Sequence, residues 1–231
     1  MFKFPSGLFF KIYTLVRAYA EGIILTILFA IILRVFVVTP YRIPNNLMAP
    51  NLIIGDFILA YRLPYGIRVP FTHIKLGEKL PHRGDLVVFP CPKTKSITCL
   101  RRVVGLPGDR LEIRGERLFI NGQQADYELI EKNELGVHFK ETIEDHQYEI
   151  FIRGNEGHVQ FGPVIVGPQS VFLLSDHRDL GEDSRSWGGV HVQEIEARVA
   201  FIWLSLDWLT ESRLQSSGPA LRWERLFQSP H

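Results

Sequence analysis

The apolar run at residues 18–38 constrains this chain more than any other feature of its sequence. Its inner part, residues 22–33, holds twelve residues without a charge. About 20 residues are needed for a helix to cross the hydrocarbon layer, and the run has that length. Glu21 and Arg34 lie near its two ends, where long side chains can reach the headgroups. The run therefore predicts one membrane-spanning helix, with a buried core helix or an uncleaved signal-like segment as the alternatives.

The charges that flank the run predict its orientation. Lys3, Lys11 and Arg17 precede it, and no acidic residue does. Such a bias favours a cytoplasmic N-terminus. Residues 37–40 are bulky and offer no small-x-small cleavage site, which disfavours a removable signal peptide. We expect residues 1–17 to form a cytoplasmic tail and the domain that follows the run to lie on the opposite side of the membrane.

Short runs rich in Val, Ile, Leu and Phe follow the apolar segment, separated by Gly, Pro and Asp. This pattern predicts a mainly β domain over residues 39–210, antiparallel and barrel- or sandwich-like. Residues 126–160 are acidic and poorly periodic, and we expect a solvated β cap there. Residues 211–231 are interpreted as a linker and a C-terminal tail. The clearest strand candidates are residues 57–61, 85–89, 100–105, 110–113, 117–120, 170–174 and 198–204.

Composition excludes several classes of protein. The 231 residues suffice for one anchor and one domain of ordinary size, and 46% of them are hydrophobic, which excludes a wholly disordered chain. The formal net charge of +1 gives no electrostatic basis for binding nucleic acid. Two cysteines are too few for a fold built on disulfides. We expect no metal and no cofactor.

Four segments behind the apolar run resemble the sequence boxes of bacterial signal peptidase I. They are residues 43–56, 83–89, 101–109 and 175–188, and they occur in the order that the family has. The third, Arg-Arg-Val-Val-Gly-Leu-Pro-Gly-Asp, differs from the family pattern in its first residue, where the family has lysine. The resemblance implies a mostly β fold at the outer, periplasmic surface of a bacterial cytoplasmic membrane. It also implies cleavage of signal peptides after a small-x-small tripeptide, by a serine and a lysine.

The resemblance places the two catalytic positions at Leu47 and Arg101. In the family's chemistry a serine hydroxyl attacks the scissile carbonyl, and a neutral lysine removes the hydroxyl proton. The hydrocarbon side chain of Leu47 cannot attack. Arginine keeps its proton because its pKa is above about 12, so Arg101 cannot act as the base. We therefore predict that serine-lysine hydrolysis is disabled here.

Two supporting positions of the family differ as well. The oxyanion-stabilising serine corresponds to Asn45, whose amide can still donate a hydrogen bond. The serine that orients the lysine corresponds to Gly181. A surface that would take the small side chains before the cleavage site is predicted from four apolar residues, for which core packing is equally compatible. They are Ile43, Met48, Phe57 and Leu86.

Cys91 and Cys99 lie on either side of a short loop between two predicted strands. Outside the cytoplasm they are expected to form a disulfide, worth roughly 2–3 kcal/mol by chain entropy for a loop of this length. The alternative uses strand alternation: Cys99 lies two residues before Arg101 and shares its face, so the cation would lower the thiol pKa. Such a thiol nucleophile would still need a base.

Three hypotheses follow from this pattern. The first is a catalytically impaired homologue that binds signal peptides or preproteins, or an active signal peptidase, at the lipid membrane. The second is an active endopeptidase that removes signal peptides by other chemistry. The third is a structural membrane protein whose β domain serves only in assembly.

Overall fold

The computed structural model describes residues 6–32, 34, 37–68, 75–77, 79–153, 160–207 and 219–230. The chain divides into two units, Met1–Val38 and Thr39–His231.

The N-terminal unit contains one long helix, α1, at Ser6–Ile32. Its stretch Tyr13–Ile31 is long and apolar enough to cross a membrane, and none of it is buried in the protein. The helix begins within the expected tail at 1–17, because no proline or glycine interrupts residues 8–21. The helix ends at residue 32, and residues 33, 35 and 36 lie outside the described part of the chain.

The C-terminal unit is mainly β, as the sequence predicts. Its largest sheet has eight strands in the order β1-β2-β16-β5-β6-β14-β15, with β17 paired to β16. From β2 to β15, and between β16 and β17, neighbouring strands run antiparallel. A four-residue helix, α2, at Ser184–Trp187 follows β14. The strands are β1 (Val38–Arg42), β2 (Asp56–Tyr61), β5 (Leu86–Pro90), β6 (Thr98–Gly105), β14 (Ser170–Leu174), β15 (Val190–His191), β16 (Ala197–Asp207) and β17 (Ala220–Leu221).

Three smaller antiparallel sheets complete the unit. They run β3-β4, β13-β7-β8-β9 and β10-β11-β12. Their strands are β3 (Ile67–Arg68), β4 (Lys75–Leu76), β7 (Arg110–Arg114), β8 (Arg117–Ile120), β9 (Gln123–Gln124), β10 (Asp126–Asn133), β11 (Gly136–Ile143), β12 (His146–Ile152) and β13 (Phe161–Ile165).

The middle of the main sheet is buried on both faces. Successive side chains of a strand point to opposite faces. Accordingly Leu86 and Val88 of β5 join one buried cluster, whereas Val87 and Phe89 join another. A polar side chain among the buried residues 101–105 of β6 therefore has no solvated face to occupy and needs a partner inside the protein.

The expected cap at residues 126–160 is β, but it is not solvated on both faces. Tyr148, Ile150 and Ile152 of β12 are buried against Leu111 and other residues of the neighbouring sheet. Three acids of the segment lie on exposed β10 and others lie in the turns, while Glu141 on β11 is completely buried. The acidic composition thus hides the apolar alternation of β12. Residues 154–159 lie outside the described part.

The C-terminal end packs against the domain and is not a detached tail. β17 pairs with Leu206 and Asp207 of β16, and the Phe227 N–H donates to the Ile202 carbonyl at 2.7 Å. The predicted linker falls mostly on residues 208–218, which lie outside the described part.

Candidate functional site

The first part of the site is the loop at residues 43–56 between β1 and β2, called the site loop below. Asn45 Oδ1 accepts a hydrogen bond from the Leu47 N–H at 3.3 Å. Asn46 Oδ1 accepts one from the Ile54 N–H at 3.2 Å. Asparagine favours turns because its short side chain bonds to nearby backbone groups. The Asn45 amide oxygen therefore acts as an acceptor within the loop and engages the Leu47 N–H.

The second part of the site is the turn after β14. Asp183 caps α2 by accepting from the Arg185 N–H, and its carboxylate also pairs with the Arg185 guanidinium at 2.7 Å. The His177 N–H donates to the Leu47 carbonyl at 3.1 Å. This bond joins the turn to the site loop, so residues far apart in sequence meet at Leu47.

Leu47 and Gly181 are in direct contact. A Cβ added to Gly181 would overlap Leu47 Cδ2 and would lie 3.1 Å from Leu47 Cδ1. Gly181 also has a φ of +73°, a backbone conformation that side chains disfavour. The leucine side chain thus occupies the space beside Gly181 that a larger residue there would need.

Arg101 reaches the same turn from β6. Its side chain is only 4% exposed. Nε and Nη2 donate to the Glu182 carbonyl at 3.1 and 2.6 Å, and Nη1 donates to the Leu100 carbonyl at 2.6 Å. The guanidinium also lies 5.7 Å from the ring centroid of Trp187. The structure therefore brings three of the predicted site residues, Leu47, Gly181 and Arg101, to one place.

Burial lowers the pKa of the Arg101 guanidinium below its usual value, because a charge is disfavoured away from water. The carboxylates of Asp183 and Asp176 act in the opposite direction. A guanidinium starts from a pKa above about 12, so it keeps its proton. Arg101 holds a fixed cation at this position.

The four residues predicted to line a substrate groove separate into two groups. Ile43, Met48 and Leu86 are buried in one core cluster. Phe57 is half-buried and packs edge-on against Trp203, with ring centroids 6.0 Å apart. Three of the four therefore lie together in the core, and two of these, Ile43 and Met48, belong to the site loop itself.

Cys91 and Cys99 form a disulfide in the structure, which closes the loop between β5 and β6. The chain has no free thiol, so Cys99 is not available as a nucleophile in this state. Lys93 and Lys95 of the same loop pair with Glu182 and Glu194. The loop is thus tied to the turn that Arg101 contacts.

Sequence reasoning missed a second buried arginine beside the first. Arg102 Nε and Nη2 each donate to the Asp176 carboxylate at 2.7 Å, and the Asn51 amide donates to the same carboxylate at 2.7 Å. Adjacent residues of a strand point to opposite faces, so Arg101 and Arg102 could not share a role. An arginine within a buried apolar strand was the available signal, because it needs an internal partner.

The site has clear chemical limits. Leu47 contributes hydrocarbon, and Arg101 contributes a cation committed to two carbonyls. The nearby Ser184 is buried, and its Oγ accepts from the Leu173 N–H at 2.9 Å. No cluster of metal-ligating residues occurs within the described ranges. The arrangement offers no pair of nucleophile and base between Leu47 and Arg101.

Comparison with known proteins gives a consistent result. The family model for signal peptidase, peptidase S26, matches residues 16–204. Signal peptidase I of Buchnera aphidicola subsp. Baizongia pistaciae is 32% identical over 87% of this chain and 80% of its own length. Signal peptidase I of Pseudomonas fluorescens is 32% identical over 81% of this chain and 72% of its own length.

A crystal structure of a signal peptidase I from Enterococcus faecalis shows 25% identity, with a TM-score of 0.35, and the match covers 52% of this chain and 97% of that one. The family model spans most of the chain, including the site loop, Arg101 and the turn with Gly181. The chain therefore belongs to the signal peptidase family, peptidase S26.

Proposed function

We propose that this protein binds the signal-peptide region of preproteins without cleaving it by serine-lysine chemistry. The observation that carries the proposal is the meeting of Leu47 and Arg101 at the turn with Gly181. Family membership implies preproteins with signal peptides as the substrate class. The two positions that resemble the family's serine and lysine hold groups that can neither attack a carbonyl nor accept a proton.

The contacts of Arg101 and Leu47 support the view that both side chains are accommodated by their surroundings. The Arg101 side chain is buried and donates to the Glu182 and Leu100 carbonyls, so its charge is held by backbone groups. Leu47 fills the space beside Gly181. Each replacement fits its surroundings, as expected for a site kept for binding.

The proposed placement in the membrane follows the sequence. α1 would anchor the chain, and Lys11 and Arg17 near its start favour a cytoplasmic N-terminus. The β domain would then lie at the outer face of the cytoplasmic membrane, where signal peptides emerge. A second protein partner consistent with this placement is an active signal peptidase.

The experiment compares the full chain in detergent with its Leu47→Ser, Arg101→Lys, Gly181→Ser variant. The substrate is a preprotein with a small-x-small site, and both binding and cleavage are measured. We expect the native chain to bind without cutting and the triple variant to cut. A matched control carries Leu47→Ala with the other two changes and should bind without cutting. Specific cleavage by the native chain would refute the proposal.

Signal-peptide cleavage is the second candidate function. It is favoured by the names of the relatives, since those described above are each called signal peptidase I. The candidate requires a nucleophile other than Leu47, and the disulfide withholds Cys99. Cleavage that survives Leu47→Ala and thiol-blocking reagents, but is lost on heating, would favour it.

A further inference from the structure

The C-terminal segment at residues 219–230, called the strap below, lies along an edge of β16. β16 pairs with β2 on one side, but it pairs with β5 only at Ala197 and Arg198. Beyond that point the strap continues on the β5 side. Near its start, β17 pairs with residues 206–207 of β16. Further along, the Ile202 N–H donates to the Gln228 carbonyl and the Phe227 N–H donates to the Ile202 carbonyl. Ser229 Oγ donates to the Ala200 carbonyl at 3.0 Å.

An arginine of the strap forms an ion pair with the site loop. Arg225 Nε and Nη2 donate to the two oxygens of Asp56 at 3.0 and 2.6 Å. Arg225 Nη2 also donates to the Asn51 carbonyl at 2.8 Å. Asp56 is 0% exposed, and its carboxylate also accepts from Ser205 Oγ at 2.6 Å and the Ile53 N–H at 2.9 Å. A buried carboxylate depends strongly on its cation, because removing one partner leaves an uncompensated charge.

A second arginine of the strap reinforces the contact. Arg222 Nη1 donates to the Ile54 carbonyl at 3.1 Å, and its Nη2 lies 3.2 Å from Asp207. Together the two arginines bond to residues 51, 54 and 56 of the site loop. The strap therefore holds the half of the loop that does not contain Leu47.

The two halves of the loop are themselves joined. The Leu52 N–H donates to the Met48 carbonyl at 2.8 Å, and the Ile43 N–H donates to the Asp56 carbonyl at 2.8 Å. The Ile54 N–H donates to Asn46 Oδ1 at 3.2 Å. A displacement of residues 51–56 is consequently transmitted to the residues on both sides of Leu47.

We propose that the strap is a positioning element and that Arg225, acting through Asp56, holds the site loop in place around Leu47. Arg225 is a positioning residue, because its side chain bonds to Asp56 and Asn51 and acts on Leu47 only through the loop. This positioning role of Arg225 does not depend on whether the protein binds preproteins or cleaves them.

The test is amide hydrogen exchange on the full chain in detergent. In Arg225→Ala, the amides of Leu52, Ile53 and Ile54 should exchange at least about tenfold faster than in the native chain, because the loop opens locally. The amides of Gly108 and Val166, which donate to the Val166 and Asp109 carbonyls at 2.9 Å, are the comparison pair and should be unchanged. Arg225→Lys, which keeps the charge but loses the paired donors, should give an intermediate increase.

The matched control is Arg114→Ala. Arg114 makes the same two-bond contact with Glu112, at 2.6 and 2.6 Å, but on an exposed strand away from the site loop. It should leave the loop amides unchanged. The proposal is overturned if the loop amides stay protected in Arg225→Ala. It is also overturned if the loop amides and those of Gly108 and Val166 accelerate equally, since the strap would then contribute only to global stability.

Discussion

The Leu47 side chain lies against Gly181, so that a Cβ at residue 181 would overlap it. Gly181→Ala should therefore lower the free energy of unfolding by about 2–3 kcal/mol, from the positive φ and from overpacking. Thermal unfolding of the full chain in detergent measures the loss.

The overlap makes a further prediction about coupling between the two residues. In the Leu47→Ala background, Gly181→Ala should be less destabilising by about 1 kcal/mol, because the clash is gone and only the backbone strain remains. Additive losses in the double-mutant cycle would show that the two side chains do not compete for this space.

Arg101→Lys should destabilise the chain by about 1–3 kcal/mol, because one ammonium cannot replace the guanidinium's three bonds to the Glu182 and Leu100 carbonyls. Burial lowers the pKa of Arg101 and should lower that of a lysine there. The unfolded lysine then holds its proton at pH values where the folded one does not. Stability of the variant should therefore rise with pH up to about 10.4, relative to the native chain. A constant difference between pH 7 and 10 would contradict this.

Glu141→Gln should lower the free energy of unfolding by about 3–5 kcal/mol. The buried Glu141 carboxylate is paired with Arg178, and its loss would leave that cation uncompensated. The hydroxyls of Tyr127 and Tyr148 also donate to it. Unfolding temperatures in detergent provide the measurement. Glu131→Gln, on the exposed strand β10, is the control and should change stability little. Equal effects of the two changes would show that the buried pair is not important.

Acidification should weaken the fold through His177. Burial lowers the pKa of this imidazole below its ordinary value near 6.5, so the unfolded chain binds the proton more readily. Stability is then lost as the pH falls from about 6.5 toward the lower folded pKa. The nearby charged groups are Asp179, Arg153 and His138.

The check on this pH dependence is the change in unfolding temperature between pH 7.5 and 5.5. His177→Gln should show a smaller change than the native chain, whereas His82→Gln, whose side chain is 77% exposed, should behave like the native chain. The same pH dependence in all three proteins would contradict the assignment to His177.

Reduction of the disulfide between Cys91 and Cys99 should destabilise the chain by about 2–3 kcal/mol, since the bond closes a short loop. A dithiol reductant should lower the unfolding temperature of the native chain and leave that of Cys91→Ser, Cys99→Ser unchanged. A native chain insensitive to the reductant, with both thiols shown to be free, would contradict this.

The sequence predicted the β domain and most strands of the main sheet, because their short apolar runs are bounded by Gly, Pro and Asp. β2, β5, β6, β14 and β16 of the main sheet, and β7 and β8 of the four-stranded sheet, lie at or within three residues of the expected positions. A β cap was expected, but its individual strands were not, since acids occur in all three strands and in the turns between them. The helix α1 begins at Ser6, well before the run expected to span the membrane, because residues 8–21 contain no proline or glycine.

The site could be predicted only in part. The meeting of Leu47, Gly181 and Arg101 was expected through the family resemblance. The roles of Asn51, Asp56 and Arg225 depend on contacts across more than a hundred residues, which no local pattern contains. Asn45 illustrates a second limit, because an amide has both an acceptor oxygen and a donor NH2, and only the surrounding backbone decides that the oxygen bonds to the Leu47 N–H.

The order of the main sheet has a consequence for how the protein is made. β16 lies between β2 and β5, although both of these strands precede it in the chain. Until residues 197–207 have been synthesised, an edge of each of these strands has no partner. Pairing over such distances is slow, and open edges favour association with other chains. The domain therefore cannot complete its fold until β16 has been made, and the unfinished chain carries two open strand edges until then.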